Sequence, residues 1–307
     1  MDQKNFPSYI QLSESGELAK RTGIAYRLME SCKLCPRECG VNRLKGVEGI
    51  CKTAKIAGVA SCNLHFGEEP PITGTYGSGT IFFTGCNLRC RFCQNYPISQ
   101  LGHGEEVTPG RLAEMMLSLQ KRGAHNINLV TPSHVVPQFL AGLTIAAKEG
   151  LTLTIVYNSN GYEGLEALRL LDGIVDIYMP DIKYASKDAG DRCSSAPDYW
   201  DRVRPAIKEM YRQVGVLEVD GDEIGIRGML IRHLVLPGSL ASSEKVFEFV
   251  ATEVSTDLPV NLMSQYFPAH LATDDPLLNR HITKDEFAKA ELALHKWGLD
   301  EGWIQHL

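Results

Sequence analysis

From about residue 80 onward, short apolar runs alternate with longer stretches in which apolar residues recur every three or four positions. The short runs at 80–85, 126–130, 151–157, 175–179, 229–236 and 259–263 predict strands buried on both faces. The periodic stretches predict helices near 135–148, 162–171, 196–214, 242–254 and 283–297. A helix from Pro109 is the easiest to delimit: Thr108 can cap it, Pro109 suits its first position and Gly123 can end it. Leu112, Met115, Met116 and Leu119 make one apolar face, so these methionines read as core. Thr283 and Glu286 have capping-box spacing. Six strand–helix units predict an α/β fold with a parallel sheet. An open, partial (β/α)6 barrel fits the count, and a doubly wound sheet is the structural alternative.

The chain before residue 76 reads differently. A helix around 14–30 leads into SCKLCPRECGVNRLKGVEGIC, rich in Cys, Gly and Arg. That segment has too few apolar residues for a core of its own and depends on a metal or on docking. The expected division is a Cys-rich appendage over 1–75 and a barrel over 76–307.

Composition narrows the class. With 44% hydrophobic and 22% charged residues in 307, the chain has the makeup of a globular protein able to bury a large core. Its nine cysteines are clustered, which favours metal binding in a reducing compartment over a disulfide scaffold. MDQKNFPSYI lacks the regions of a signal peptide, and no run approaches the roughly 18 apolar residues of a membrane span. A formal charge of −6 offers no broad field to nucleic acid. The expectation is a cytoplasmic protein that binds neither membrane nor nucleic acid.

Two cysteine sets carry candidate chemistry. Cys86, Cys90 and Cys93 are spaced C-x3-C-x2-C directly after the first strand of the barrel. Three thiolates can hold three irons of a [4Fe–4S] cluster and leave the fourth open to another ligand, whereas most electron-transfer clusters use four cysteines. Cys32, Cys35, Cys39 and Cys51, spaced C-x2-C-x3-C-x11-C, suit one metal site, either structural zinc or an auxiliary cluster, with packing thiols as the bland reading. Cys62 can replace one of the four, and Cys193 reads as a lone thiol.

Unusual polar residues collect where the strands end, the side on which β/α barrels build active sites. The second strand ends in Thr131-Pro132-Ser133-His134, and the third in Asn158-Ser159-Asn160-Gly161. After the fourth come Asp181 and Lys183, and after the sixth Ser264-Gln265-Tyr266. Asp181 and Lys183 share a face at i and i+2, as a simple ion pair or as a site. Asn-Ser-Asn-Gly also makes a good turn. His134 caps, packs or binds; His233 is a core histidine or a ligand contact.

GSGTIFFTGCNLRCRFCQN, with Phe92 before the third cysteine, resembles the radical S-adenosylmethionine (SAM) superfamily. With LCPRECGVNR, HFGEEPPITG and RHLVLPG it is similar to the subgroup of homologues of pyruvate formate-lyase activating enzyme, from about Cys32 to the C-terminus. The resemblance implies a partial barrel and a cluster whose open iron takes the amine and carboxylate of SAM. It also implies reductive cleavage to a 5′-deoxyadenosyl radical that abstracts hydrogen, driven by a low-potential donor such as flavodoxin or ferredoxin. By the same resemblance Asn158, Ser159 and Asp181 surround a monovalent cation, and Asn160 belongs to the same turn. Lys183 meets the SAM carboxylate, and Arg232 aligns with a family arginine; Gln265 completes the cofactor set.

Two departures stand out. Asn158 replaces a family aspartate and removes a charge. Thr131-Pro132-Ser133 stands where many members have Gly-Gly-Glu, so Ser133 and backbone carbonyls replace an acid in receiving the SAM amine. The substrate is then either a glycyl-radical enzyme or a small molecule, with no catalytic base implied. From another class, the chain reads as an iron–sulfur redox carrier or sensor without SAM chemistry.

Overall fold

The computed structural model describes residues 7–305. Its strands are β1 (Ala57–His65), β2 (Ser78–Phe83), β3 (Glu105–Val107), β4 (Asn126–Val130), β5 (Thr154–Ser159) and β6 (Ile177–Pro180). They continue as β7 (Glu218–Val219), β8 (Gly225–Met229), β9 (Ile231–Leu234), β10 (Val260–Met263) and β11 (Gly302–Gln305). One sheet runs β3-β1-β2-β4-β5-β6-β8-β7 and a second β11-β10-β9. From β2 through β4, β5 and β6 to β8 every pairing is parallel, as are β9 with β10 and β10 with β11. A bridge between Asp181 and Arg232 joins the two sheets where Leu230 interrupts the fifth expected strand. The six expected strands thus appear, neighbouring one another in chain order, and the fold is the expected mixed α/β architecture with a mostly parallel sheet.

Local chemistry fixes the helix starts. Thr108 Oγ1 accepts from the Arg111 amide at 3.2 Å, and Thr283 and Glu286 close a reciprocal capping box. Helices Pro109–Lys121 and Val136–Lys148 bury their apolar faces against the sheet and each other. The helix expected over 14–30 runs Glu17–Arg27, and Gly16 at φ +78° separates it from a further helix, Tyr9–Glu14. The helix expected from 196 begins at Tyr199, after a separate Lys187–Ser194 helix that ends on left-handed Ser195.

Strands β1, β3, β7 and β11 were not expected, nor was β8 before its last residue. AGVASCNLH carries glycine and small polar residues instead of a clean alternation, and GWIQ is too short to show one, so only pairing reveals them. β1 lies antiparallel on β2, with His65 opposite Ser78. The connection between them therefore starts and ends at the barrel's N-terminal rim. Its short Pro70–Thr73 helix sends Ile72 inward, where it packs with Val156, Ile177, Met179 and Leu230 in an apolar cluster separate from the main core. Side chains alternate along strands, so Asn158, Asp181 and Arg232 share an inward face with Val156, Met179 and Leu230 and sit nearer the C-terminal end. The interior is apolar at its floor and polar towards its mouth.

Candidate active site

The cysteine loop leaves β2 through Gly85, at φ +78°. A Cβ there would lie 2.3 Å from the Cys51 carbonyl oxygen, so only glycine lets the Cys-rich segment approach so closely. Each thiol of the loop has a hydrogen-bond partner. Asn160 Nδ2 lies 3.4 Å from Cys86 Sγ, Ser194 Oγ 3.0 Å from Cys90 Sγ, and Ser99 Oγ 3.2 Å from Cys93 Sγ. Asn160 also donates to Asn87 Oδ1 at 2.8 Å, tying the β5 turn to the loop. Phe92 packs edge-on against Tyr266.

Beside the loop a charged network spans three strand ends. Arg232 donates from Nε to Asp181 at 2.9 Å and from Nη2 to Asn158 Oδ1 at 2.7 Å. Lys183 Nζ reaches the other Asp181 oxygen at 2.5 Å. Burial opposes ionisation of Asp181, but Arg232 and Lys183 outweigh it and hold its carboxyl below the usual range. Of the side chains that the resemblance gives to a cation, Asn158 and Asp181 are thus engaged by a guanidinium, itself cationic.

The remaining expected residues are placed less centrally. Ser133 is buried, its hydroxyl donating to the Glu163 carboxylate, which also accepts from Tyr157 at 3.1 Å. Ser159 Oγ accepts from the Gly161 amide at 3.2 Å. Gln265 is exposed, and its carbonyl accepts from Gln94 on the cysteine loop at 3.0 Å. Thr131, where the family places glycine, sits at φ +61°, a conformation costly for a β-branched residue. Both histidines are core groups. His134 Nε2 lies 2.8 Å from the Thr84 carbonyl, and His233 bridges the Ile182 carbonyl and Ser243. Burial pushes each down to about 4.

Comparison with known proteins decides the family. The sequence model of the Radical SAM superfamily matches residues 80–239, from β2 past β9. The chain belongs to the radical SAM superfamily. It is 32% identical to an uncharacterized protein of Methanocaldococcus jannaschii over 285 residues, 90% of this chain and 78% of that one. Likeness to the pyruvate formate-lyase-activating enzyme of Clostridium pasteurianum is more distant, 25% over 171 residues, covering 54% of this chain and 65% of that enzyme. Among solved structures, a radical SAM methyltransferase from Sphaerobacter thermophilus is similar with a TM-score of 0.48 at 15% identity, covering 74% of this chain and 66% of that one.

Radical SAM membership implies a [4Fe–4S] cluster and SAM, and the cysteine loop fits them. Burial raises the Cys86 thiol well above its usual range and raises that of Cys93, and the neighbouring Cys90 adds to both. Thiols so placed give up their protons to a bound cation rather than to water. Among the described residues no three His, Cys, Asp or Glu side chains converge as ligands of one ion. Cysteines that each take a separate iron need not. Cys193, expected alone, is buried and close enough to Cys90 for their charges to interact, which together with burial pushes it up to about 12.

In this radical SAM chain the Cys-rich segment lies against the cluster loop. Arg37 donates from Nε to the Asn87 carbonyl at 2.8 Å and from Nη2 to the Ser194 carbonyl at 3.0 Å. Fully buried Arg43 reaches the Ala54 and His134 carbonyls and lies 3.9 Å from Cys32 Sγ. The position of a Cβ on Gly49 is 2.8 Å from Cys39 Sγ and 3.9 Å from Cys51 Sγ, so these two flank one glycine. Cys35 interacts electrostatically with Cys32 and Cys51, and burial pushes it up to about 12. Cys62 is apart from these, on β1, with its thiol towards the Met115 carbonyl.

Sequence reasoning missed Glu68, Glu69, Asn128 and Asn261. Glu68 lies 3.5 Å from Arg232, and Glu69 accepts from Asn261 at 2.7 Å. The only available signal was the paired acids in HFGEEPP, and nothing local says that this segment enters a barrel.

Proposed function

We propose that this radical SAM protein is an enzyme that abstracts hydrogen from a small molecule or a protein side chain held inside its barrel. The observation that carries this reading is the three-cysteine loop, opening onto the Asn158–Arg232–Asp181–Lys183 network and a polar interior below it. When bound, the cluster and SAM supply reductive sulfonium cleavage and a hydrogen-abstracting radical. The chain's own residues bind, orient and exclude water. Cys86, Cys90 and Cys93 hold iron, with Asn160, Ser194 and Ser99 beside their sulfurs. Lys183 and Arg232 supply positive charge for the SAM carboxylate, and Arg232 takes the role the family gives to a separate cation.

Activation of a glycyl-radical enzyme is the second reading, favoured by the likeness to the Clostridium enzyme. It is the weaker one, because a glycine has no side chain to reach the polar groups deeper in the barrel. An acidic reductant such as flavodoxin or ferredoxin suits the outer side of the cluster loop. There a cavity of about 730 Å³ is lined by Arg37, Lys52, Arg89, Arg91 and Arg192 against Asp191.

We further read Cys32, Cys35, Cys39 and Cys51 as one metal site, holding zinc or an auxiliary cluster. They gather in one place: Cys39 and Cys51 flank Gly49, and Cys35 interacts with Cys32 and Cys51. The deciding experiment is anaerobic formation of 5′-deoxyadenosine from SAM by iron-reconstituted protein and dithionite. Product is expected, and Cys90→Ala abolishes it. A fully loaded cluster that yields none, with or without candidate substrates, returns the chain to the redox-carrier reading.

A further inference from the structure

One place in the barrel concentrates hydrogen-bonding atoms that nothing satisfies. Among the described residues, eight buried side-chain nitrogen or oxygen atoms lack a partner, and four of them are Glu69 Oε2, Asn128 Oδ1, Asn128 Nδ2 and Asn261 Oδ1. Their residues are 5%, 0% and 1% exposed, respectively, so open solvent does not serve them. A buried polar group without a partner is costly, and several together favour an occupant that pairs with them.

The three side chains come from three separate elements. Glu69 enters from the β1–β2 connection, Asn128 from the middle of β4 and Asn261 from β10. Glu69 Oε1 accepts from Asn261 Nδ2 at 2.7 Å, which fixes that amide with its oxygen pointing away. Asn128 lies beside Glu68 without closing a hydrogen bond of good geometry. Glu68 in turn reaches Arg232, itself bonded to Asp181 and Asn158. On β4 and β5 the register pairs Val130 with Asn158, so Asn128 is two residues deeper than the Asn158 layer, about 7 Å along the strand. The same register sets Asn128 opposite Val156, a member of the apolar cluster with Ile72 and Leu230, and that of β9 and β10 sets Asn261 opposite Arg232. The unsatisfied atoms therefore lie at the border between the charged network and the apolar cluster.

Their chemistry is lopsided: three acceptors and one donor. Fixed charge leans the same way, with Glu68, Glu69 and Asp181 against Arg232 and Lys183, and His65 at 3.9 Å on the outer edge of Glu68. A carboxylate would bring only acceptors, and an alcohol a single donor for three acceptors. A group with several N–H donors and a positive charge matches both the count and the sign.

We propose that the Glu69–Asn128–Asn261 layer is a subsite for a cationic nitrogen group, an ammonium or guanidinium, on the substrate that this enzyme holds below its cluster. This assignment rests on the radical-enzyme reading only for the word substrate; the cation preference stands on the layer itself.

The test is calorimetric titration of propylammonium, propylguanidinium, 1-propanol and propanoate into the full, anaerobically reconstituted chain saturated with SAM. Both cations bind, at least about tenfold tighter than the alcohol or the acid, and Glu69→Gln weakens them by about tenfold or more. Asn128→Ala gives the same loss and serves if Glu69→Gln does not fold. Three results overturn the proposal: no cation binding, binding unchanged in the variants, or potassium chloride competing as well as propylammonium chloride does. Cation binding seen only without SAM assigns the layer to SAM itself and overturns it as well. 5′-Deoxyadenosine is measured on the same preparation. Cation binding without product faults the radical reading alone, and product without cation binding faults the subsite alone.

Discussion

The two cysteine sets sit side by side but are held by opposite means. The Cys86–Cys93 loop grows from β2, inside the sheet, and its shape comes from the backbone around it: Gly85 turns it, Asn160 and Ser194 meet its sulfurs. The Cys32–Cys51 set belongs to a segment whose only regular element between Cys32 and Cys51 is the one-turn Arg43–Lys45 helix. That segment leans on two arginines and its own cysteines. Where a scaffold already exists, cysteines can be spent on chemistry; where none exists, they have to make structure.

Metal removal should separate the two most sharply. Stripping iron and zinc anaerobically with a chelator should free amides 31–55 to exchange hydrogen quickly, while those of β2 and β4 stay protected. Equal loss in both regions would erase the distinction. Cys35→Ala should reproduce the selective loss, and Cys90→Ala should not.

Next in size is a pH effect at the far end of the barrel, where the N-terminal helices attach. Burial pushes Asp176 up to about 7, although it accepts from the Ile155 amide at 2.9 Å and the Ser8 amide at 3.3 Å. Between the unfolded value near 3.9 and about 7 the folded state binds the extra proton, so stability falls as pH rises through that window, by about 4 kcal/mol. Urea midpoints of the native protein should fall from pH 5 to pH 8, and Asp176→Asn should flatten the trend.

Arg43→Ala removes a buried guanidinium that satisfies the Ala54 and His134 carbonyls. A cost of about 3 kcal/mol is expected in denaturant unfolding. Selective loss of metal at the N-terminal set would sharpen the contrast, and loss at both sets would blunt it. The smallest effect is at Thr131, whose φ of +61° glycine adopts freely. Thr131→Gly should add about 1 kcal/mol of stability without moving either metal site, measured by the same unfolding assay.

Much of the working side of the molecule was legible because it is written locally. The C-x3-C-x2-C spacing, the strand-end turn at Asn158–Gly161 and the Asp181–Lys183 pair each lie within a few residues, and the alternation of apolar runs put them at one rim. Arg232 bonded to both Asp181 and Asn158 was not legible, since it joins three strands far apart in the chain. The same holds for Glu69 with Asn261, 192 positions apart. The Ser133 hydroxyl's bond to Glu163 was not legible for a related reason, since its partner comes from the loop after the next strand.

The contact of Cys51 with Gly85 also sets an order of assembly. Residues 32–51 leave the ribosome before β2 exists, and the surfaces they rest on, Gly85, His134, Gly164 and Ser194, follow over the next hundred and more residues. Four thiols must therefore wait, unsheltered, until most of the barrel has been made. An oxidising interval during synthesis would therefore reach these four thiols before the barrel could cover them.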